Sequence, residues 1–366
     1  MPQNQILFPM NYISFLNLLI LSLLILIGCK PEQPPIPTEA YSSGIFITNE
    51  GIYGQTSGTI SHYNPDSGTV TQKIFKTKNG RDLGNVVQSM TFVNDKAYIV
   101  VNNSNKIEVA NANNFEEFAQ ISNLLQPRYM LAIDTNTAYV SQWGLDLLSG
   151  SLAVIDLHSH QILQTITSGI GKGPERMCLH NGKVYVANVG GLESDNFISV
   201  IDINSHTVVD TIVVNDNPNS LQLGSDGLLW VACGGKTVYA NYPEIDTTAS
   251  TYGALVAIFP NTGGIAQHIQ LQKGRGAHQL TKDNTGNSLF FSYNNQVCKL
   301  NTAQAQWQPL FSGNFYGLGY NSKDNYIYAA ENAGIQAAWA YRYRATDGTL
   351  VDSFRVGIFA NGFWTK

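Results

Sequence analysis

From Gly44 onward, apolar positions fall in short runs of β-branched and aromatic residues, broken by Gly, Asn and Asp, with no long stretch at helical spacing. This is the pattern of strands joined by tight turns. The runs recur in a fixed order, so the internal repeat has to be read before anything else. One run ends in small or polar residues: Gly44-Ile-Phe-Ile-Thr-Asn49, Ala97-Tyr-Ile-Val-Val-Asn102, Ala138-Tyr-Val-Ser-Gln142 and Val184-Tyr-Val-Ala-Asn188, with further copies starting at Leu229, Leu289 and Ile327. A second run follows each copy, as in Gly150-Ser-Leu-Ala-Val-Ile-Asp156 and Asn196-Phe-Ile-Ser-Val-Ile-Asp202. It leads through a turn such as Pro65-Asp-Ser-Gly68 into another strand, for example residues 207–214. Alternation is loose, as expected of strands buried on both faces between neighbouring sheets.

A third run precedes every copy but the first: Val87-Gln-Ser-Met90, Pro127-Arg-Tyr-Met130, Pro174-Glu-Arg-Met177, Pro218-Asn-Ser-Leu221, Ala277-His-Gln-Leu280 and Phe315-Tyr-Gly-Leu318. Another copy, Ala360-Asn-Gly-Phe363, has no strands after it, whereas the unit at Gly44 lacks one before it. The two fragments complete one unit. The sequence therefore predicts an all-β, seven-bladed β-propeller of four-stranded blades over residues 44–366. It is closed by pairing of residues 359–364 with residues 44–49, which removes the open sheet edge. The period averages roughly 45 residues, within the usual range for propellers.

In such a fold, the connections alternate between two faces. Those between first and second strands, and between third and fourth, are short. Those between second and third strands include residues 50–57, 143–149, 190–195, 234–252 and 332–337, which are longer and carry Tyr53, Trp143, Tyr239, Tyr242 and Tyr252. Long loops gathered on one face are the usual carriers of function. The inner strands begin on that same face. Their aligned position holds Gln88, Arg128, Glu175, Asn219, His278, Tyr316 and Asn361, each polar or polar-tipped, and two positions later every residue is apolar. A polar mouth over an apolar throat, ringed by aromatic loops, is the expected ligand site. It comprises those seven residues with Trp143 and Tyr239.

Ahead of the repeats, residues 13–27 are apolar except for Ser14, Asn17 and Ser22, and end in Leu26-Ile-Gly-Cys29. The length suits a secretory signal better than a full membrane span. The ending is similar to a bacterial lipobox, in which small Gly28 admits a peptidase and the Cys29 thiol takes a diacylglycerol. Several acyl chains on one residue anchor a protein stably. The reading assigns residues 1–28 to a signal peptide and residues 29–43 to a lipidated, Pro-rich tether. No Lys or Arg precedes Lys30, so the usual basic start is missing.

The formal net charge is −5 and only 13% of residues are charged, a balance that argues against nucleic acid as partner. Cys178, Cys233 and Cys298 are odd in number after Cys29, show no metal-ligand spacing, and read as small buried apolar residues. Gly169-Ile-Gly-Lys-Gly173 lacks the Ser or Thr and the helix that a phosphate loop needs. His158 and His160 sit in a turn that His206 occupies one unit later, so the repeat accounts for them and no metal site is assigned. Asp283-Asn-Thr-Gly-Asn287 lacks the later Glu of a calcium loop. There is no nucleophile elbow, and no catalytic residue or cofactor is assigned. His278 with Glu175 is the one pair suited to acid–base work, and such work requires hydrogen-bond reach.

Val184-Tyr-Val-Ala-Asn188 and Ser199-Val-Ile-Asp202 carry a resemblance to the YncE-like, YVTN-type propellers across residues 44–366. The lipobox, Thr48-Asn-Glu-Gly51, the segment from Asn79-Gly80 to Met90 and Val101-Asn-Asn-Ser104 make the chain similar to the BtuG-like, cobalamin-binding surface lipoproteins of Bacteroidota. That resemblance implies an outer-membrane lipoprotein exposed at the cell surface. It would be non-catalytic, would bind a small-molecule ligand such as cobalamin, and would pass it to a TonB-dependent outer-membrane transporter. The alternatives left open are a propeller enzyme of lyase or lactonase type and a protein–protein interaction scaffold at the cell surface.

Overall fold

The computed structural model describes residues 40–366. The expected signal peptide, the lipidation site Cys29 and nearly all of the tether lie outside the described residues. Seven antiparallel sheets of four strands form the blades, and one two-stranded hairpin is inserted in blade 5.

Blade 1 draws on both ends of the described chain. Its second strand, Ile45–Asn49, pairs outward with Thr59–Asn64 and inward with Ala360–Trp364. Phe46 lies opposite Trp364 and Ile47 opposite Phe363, so the expected closure is present. The innermost strands of blades 2 to 7 are Val87–Val93, Pro127–Ala132, Pro174–His180, Pro218–Leu223, His278–Lys282 and Phe315–Asn321. Successive inner strands pack side by side round the axis, with Ala360–Trp364 between those of blades 7 and 2.

Burial follows from this layering. Second strands such as Leu229–Cys233 are buried along their whole length, whereas fourth strands such as Gln161–Ile166 are largely exposed. The core lies between blades. In one interface Val100, Ile107 and Val109 of blade 2 meet Met130, Val140 and Ile155 of blade 3. Each large side chain so buried stabilises the fold by roughly 1.5–3 kcal/mol.

Two polar features of the repeat have structural jobs. The residue ending the second strand fastens its blade. Asn188 Nδ2 donates to Phe197 O and Ser199 Oγ, both at 3.0 Å, while its Oδ1 accepts from the Gly171 N–H at 3.1 Å. Asn49 does the same work in blade 1, donating to Ser61 Oγ at 3.0 Å and accepting from the Gly357 N–H at 2.9 Å. In blades 2, 3 and 4 the tyrosine in the middle of that strand bolts one blade to the next. The Tyr139 hydroxyl meets His206 Nδ1 at 2.6 Å, Tyr98 meets His160 Nε2 at 3.4 Å, and Tyr185 donates to Pro260 O at 2.6 Å. His160 and His206 of the turns are thus inter-blade partners. Among the described residues no group of three or more metal-ligating side chains occurs.

A short helix, Ile74–Asn79, was not expected. It buries Ile74 and Phe75 and ends at Gly80, whose φ of 69° suits glycine and lets its N–H reach Lys76 O. It follows an outer strand of blade 1, Thr69–Thr71, that is only three residues long. Tyr41, ahead of the first strand, is buried against His62 and Phe115. Cys178, Cys233 and Cys298 are free; Cys233 and Cys298 are buried and Cys178 is half-buried, and burial pushes all three thiols up.

Candidate functional site

The seven aligned residues do converge at the mouth of the central channel, and the reason lies in the strand register. At the start of each inner strand the ladder slips. In blade 2, Val87 pairs with Val101 and Ser89 with Val100, so Gln88 is left without a partner. The same slip spans Arg128, Glu175, Asn219, Tyr316 and Asn361. In blade 6 it falls one residue later, over Gln279 and Leu280, beside His278. A bulge of this kind re-aims a side chain at a barrel rim. Here it turns polar groups toward the axis, while Met90, Leu221 and Leu280 pack as core below.

The ring is organised into linked groups. Arg128 donates from Nε to Glu175 Oε1 at 2.7 Å and from Nη1 to Gln88 Oε1 at 2.6 Å, and its guanidinium lies 4.3 Å from the centre of the Trp143 ring. Gln88 and Glu175 are buried, so these are desolvated, charge-assisted contacts. Burial works most strongly against the Arg128 charge, but the charge and hydrogen bond of Glu175, with Tyr129 and Glu50 nearby, together outweigh it and hold the guanidinium above its ordinary range. Across the mouth, Glu50 takes two hydrogen bonds, from the Tyr316 hydroxyl at 2.8 Å and from Asn361 Nδ2 at 2.9 Å. Burial raises the Glu50 carboxyl above the usual carboxylate range; the bonds from Tyr316 and Asn361 and the charge of Arg128 oppose that rise without cancelling it.

The third group is Asn219 with His278. Asn219 Oδ1 accepts from Ser220 Oγ at 2.7 Å and Nδ2 donates to Ala277 O at 2.9 Å, which fixes the amide orientation. The nitrogen therefore faces His278 Nδ1, 3.3 Å away, as a donor. The neutral imidazole then carries its proton on Nε2. Desolvation in the funnel pushes His278 below the ordinary histidine range, which favours that neutral form, although the ring edge is open to the channel.

Three depressions lie along this face. One of about 430 Å³ is walled by Tyr53, Trp143, Leu147 and Phe359, with Glu50 and Arg128 as its charged groups. An axial one of about 300 Å³ is bounded by Tyr129, Glu175, Arg176, Asn219 and His278. A third of about 320 Å³ lies over blades 5 and 6, bounded by Asn217, Arg275, Asn294 and Phe315. Tyr316 borders the first and second, and His278 the second and third, so the three adjoin in a row along this face and line a trough. The Trp143 indole N–H is buried without a partner.

Tyr239 stands apart. It lies on the hairpin Tyr239–Asn241 with Glu244–Ile245, is about half exposed, and its ring is 5.2 Å from that of Tyr242. It lines none of the three depressions. Glu175 and His278 border the same axial depression, but Glu175 is bonded to Arg128 and His278 to Asn219. Sequence reasoning missed Glu50, Tyr129, Arg176 and Arg275. Glu50 was visible as the start of a long loop and within Thr48-Asn-Glu-Gly51, but its tie to Asn361 spans most of the chain.

The fold and this trough define a seven-bladed β-propeller with one open, loop-rich face. Residues 43–364 match the model of a family described as "Domain of unknown function (DUF5074)", and the chain belongs to that family. No curated protein sequence matches it. Among solved structures it is similar to a quinoprotein alcohol dehydrogenase-like protein from Bacteroides thetaiotaomicron, with TM-score 0.63, 13% identity, and coverage of 88% of this chain and 78% of that one. A putative 6-phosphogluconolactonase from Bacteroides fragilis gives TM-score 0.61, 12% identity, and coverage of 90% and 99%. The hydrazine synthase of Kuenenia stuttgartiensis gives TM-score 0.59, 16% identity, and coverage of 75% and 87%. At these identities the likeness is one of fold.

Proposed function

We propose that this protein is a non-catalytic surface lipoprotein whose propeller captures a bulky ligand in the trough. By the BtuG-like resemblance the ligand is a corrinoid, passed on to an outer-membrane TonB-dependent transporter. The observation that carries the reading is the row of three adjoining depressions on the face that also bears the long loops and their aromatic rings. Such a surface suits a large, largely preformed site. Trp143, Tyr316 and Phe359 offer contact area, and Arg128, Asn219 and His278 offer polar contacts at the mouth, while the Asn361 amide is spent on Glu50 and Thr48. Glu175 and His278 are each held by other partners, which favours binding over acid–base turnover.

Calorimetry with cyanocobalamin tests this. Wild type should bind at micromolar protein. Trp143→Ala should weaken binding by at least about 2 kcal/mol, some thirtyfold, as expected for an aromatic anchor. Absence of heat with wild type removes the corrinoid, and undiminished binding in Trp143→Ala and Arg128→Ala together moves the site off this face. A lyase or lactonase would instead keep substrate binding and lose turnover in His278→Ala.

A further inference from the structure

We propose that the part of the trough over blades 4 to 6 is an oxyanion subsite, in which Arg176, Arg275 and His278 receive a phosphate ester or carboxylate borne by the ligand. This rests on the reading that the trough binds a small molecule, and it adds the chemistry of one end. The first ground is the pairing of arginines. Arg81, Arg128, Arg342 and Arg344 each meet a carboxylate. Among the described residues, Arg176, Arg275 and Arg355 form no such pair; Arg355 lies against the Trp339 ring away from the depressions, whereas Arg176 and Arg275 both line the trough. Each is nonetheless held in place. Arg176 lies 4.6 Å from the centre of the Tyr129 ring, and Arg275 donates from Nη1 to Asn294 Oδ1 at 2.7 Å. The remaining donors of both guanidiniums are left for a guest.

The second ground is the lining. The depression over blades 5 and 6 has amides, hydroxyls and glycine backbone around it and not one carboxylate. Its glycines are required by packing. A Cβ at Gly276 would lie 2.2 Å from Gly234 O, and one at Gly313 would lie 2.3 Å from the Phe315 ring. The axial depression does hold Glu175, but Arg128 neutralises it. The third ground is His278, which borders both depressions and, in the tautomer fixed by Asn219, has Nε2–H as its donor. Unpaired guanidiniums in a concave site without carboxylates focus a positive field. Their planar donor forks match carboxylate and phosphate oxygens. The trough is therefore polar in the electrical sense, with Glu50 toward its aromatic end and free cations at the other.

The test is calorimetry on the full-length protein with phenyl phosphate, benzoate and neutral benzyl alcohol. The two anions should bind more tightly than the alcohol, and binding should weaken with added salt. Arg176→Gln with Arg275→Gln should lower anion affinity at least tenfold. Arg275→Glu, at an exposed side chain, should do so without a change in melting temperature. Tighter binding of phenyl phosphate assigns a phosphate ester, and tighter binding of benzoate a carboxylate. Equal affinity for alcohol and anions, unchanged affinity in the double variant, or no anion binding in wild type would each overturn the subsite. Trp143→Ala separates the two proposals: it should weaken cyanocobalamin while leaving phenyl phosphate bound. Loss of cyanocobalamin binding in Trp143→Ala but not in the arginine variants would retain the ligand trough and discard the oxyanion subsite.

Discussion

Asn361 is where ring closure and the channel mouth meet, and Asn361→Ala tests both. Its Nδ2 donates to Glu50 Oε1 at 2.9 Å, Gln88 O at 2.8 Å and, more weakly, Val87 O at 3.2 Å; its Oδ1 accepts from Thr48 Oγ1 at 2.5 Å. The residue is only 9% exposed, so water does not readily replace these bonds. Truncation leaves a buried backbone carbonyl and a half-buried carboxylate short of a donor. Each such orphan costs about 1–3 kcal/mol, more when charged, which puts the loss near 3 kcal/mol with Tyr316 still serving Glu50. At about 2.1 cal/mol/K per residue over roughly 330 residues, the unfolding entropy is about 0.7 kcal/mol/K, so the melting temperature should fall by about 4 °C. Asn361→Asp keeps the acceptor for Thr48 but sets a second carboxylate against Glu50, and it should be the worse of the two. Thermal and urea unfolding of both variants measure this. A loss below about 1 kcal/mol for Ala, or Asp no worse than Ala, would refute the view that Asn361 holds Glu50.

Removing residues 358–366 takes away the inner strand of blade 1 and should give an unstable, aggregating domain; a truncated protein that melts with the parent would contradict closure by that strand. Trp143→Phe removes an indole N–H that has no partner but keeps an aromatic face for Arg128, so the unliganded protein should change by less than about 1 kcal/mol in urea unfolding. His62, His160 and His278 are all pushed below their ordinary value of 6.5, chiefly by desolvation. Below that value the unfolded chain takes up protons that the native state refuses, so stability is full above pH 6.5 and declines as pH falls toward 5; Glu50, shifted upward, acts in the opposite sense, and stability that is flat or rising from pH 7 to 5 would contradict the histidine assignment. Cys29→Ala should abolish lipid attachment, read as intact mass and detergent partitioning, and unchanged values would show that this cysteine carries no lipid.

The repeat made the architecture legible because it registers the same burial seven times. Tyr98, Tyr139 and Tyr185 recur as bolts and Asn49 and Asn188 as fastenings, and the aromatic column they share with Phe46, Trp230 and Phe290 is buried in each of those blades. The ring at the mouth was legible for the same reason, as one column of the repeat. Its internal pairing was not. Which neighbour Arg128 chooses depends on bulge geometry that no alternation reports, and Glu50 acts through Asn361, whose strand arrives from the far end of the chain. The helix Ile74–Asn79 is under two turns long, too short to display a period. Tyr239 was grouped with the site as an aromatic ring on a long loop of that face, yet the hairpin strands that carry it hold its ring beside Tyr242, and it lines none of the three depressions.

The pairing of Phe46 with Trp364 also sets a clock. A ribosome adding about 5–20 residues per second needs tens of seconds to supply the partner of a strand made near the start. Throughout that interval Ile45, Phe46 and Ile47, all buried in the finished ring, face a vacant edge. The ring lacks its closing pair until Ala360–Trp364 is made, so that strand acts as a checkpoint that only a chain carrying it passes. Chains that stop early remain open, sticky and visible to proteases, which makes the geometry of the ring its own quality control.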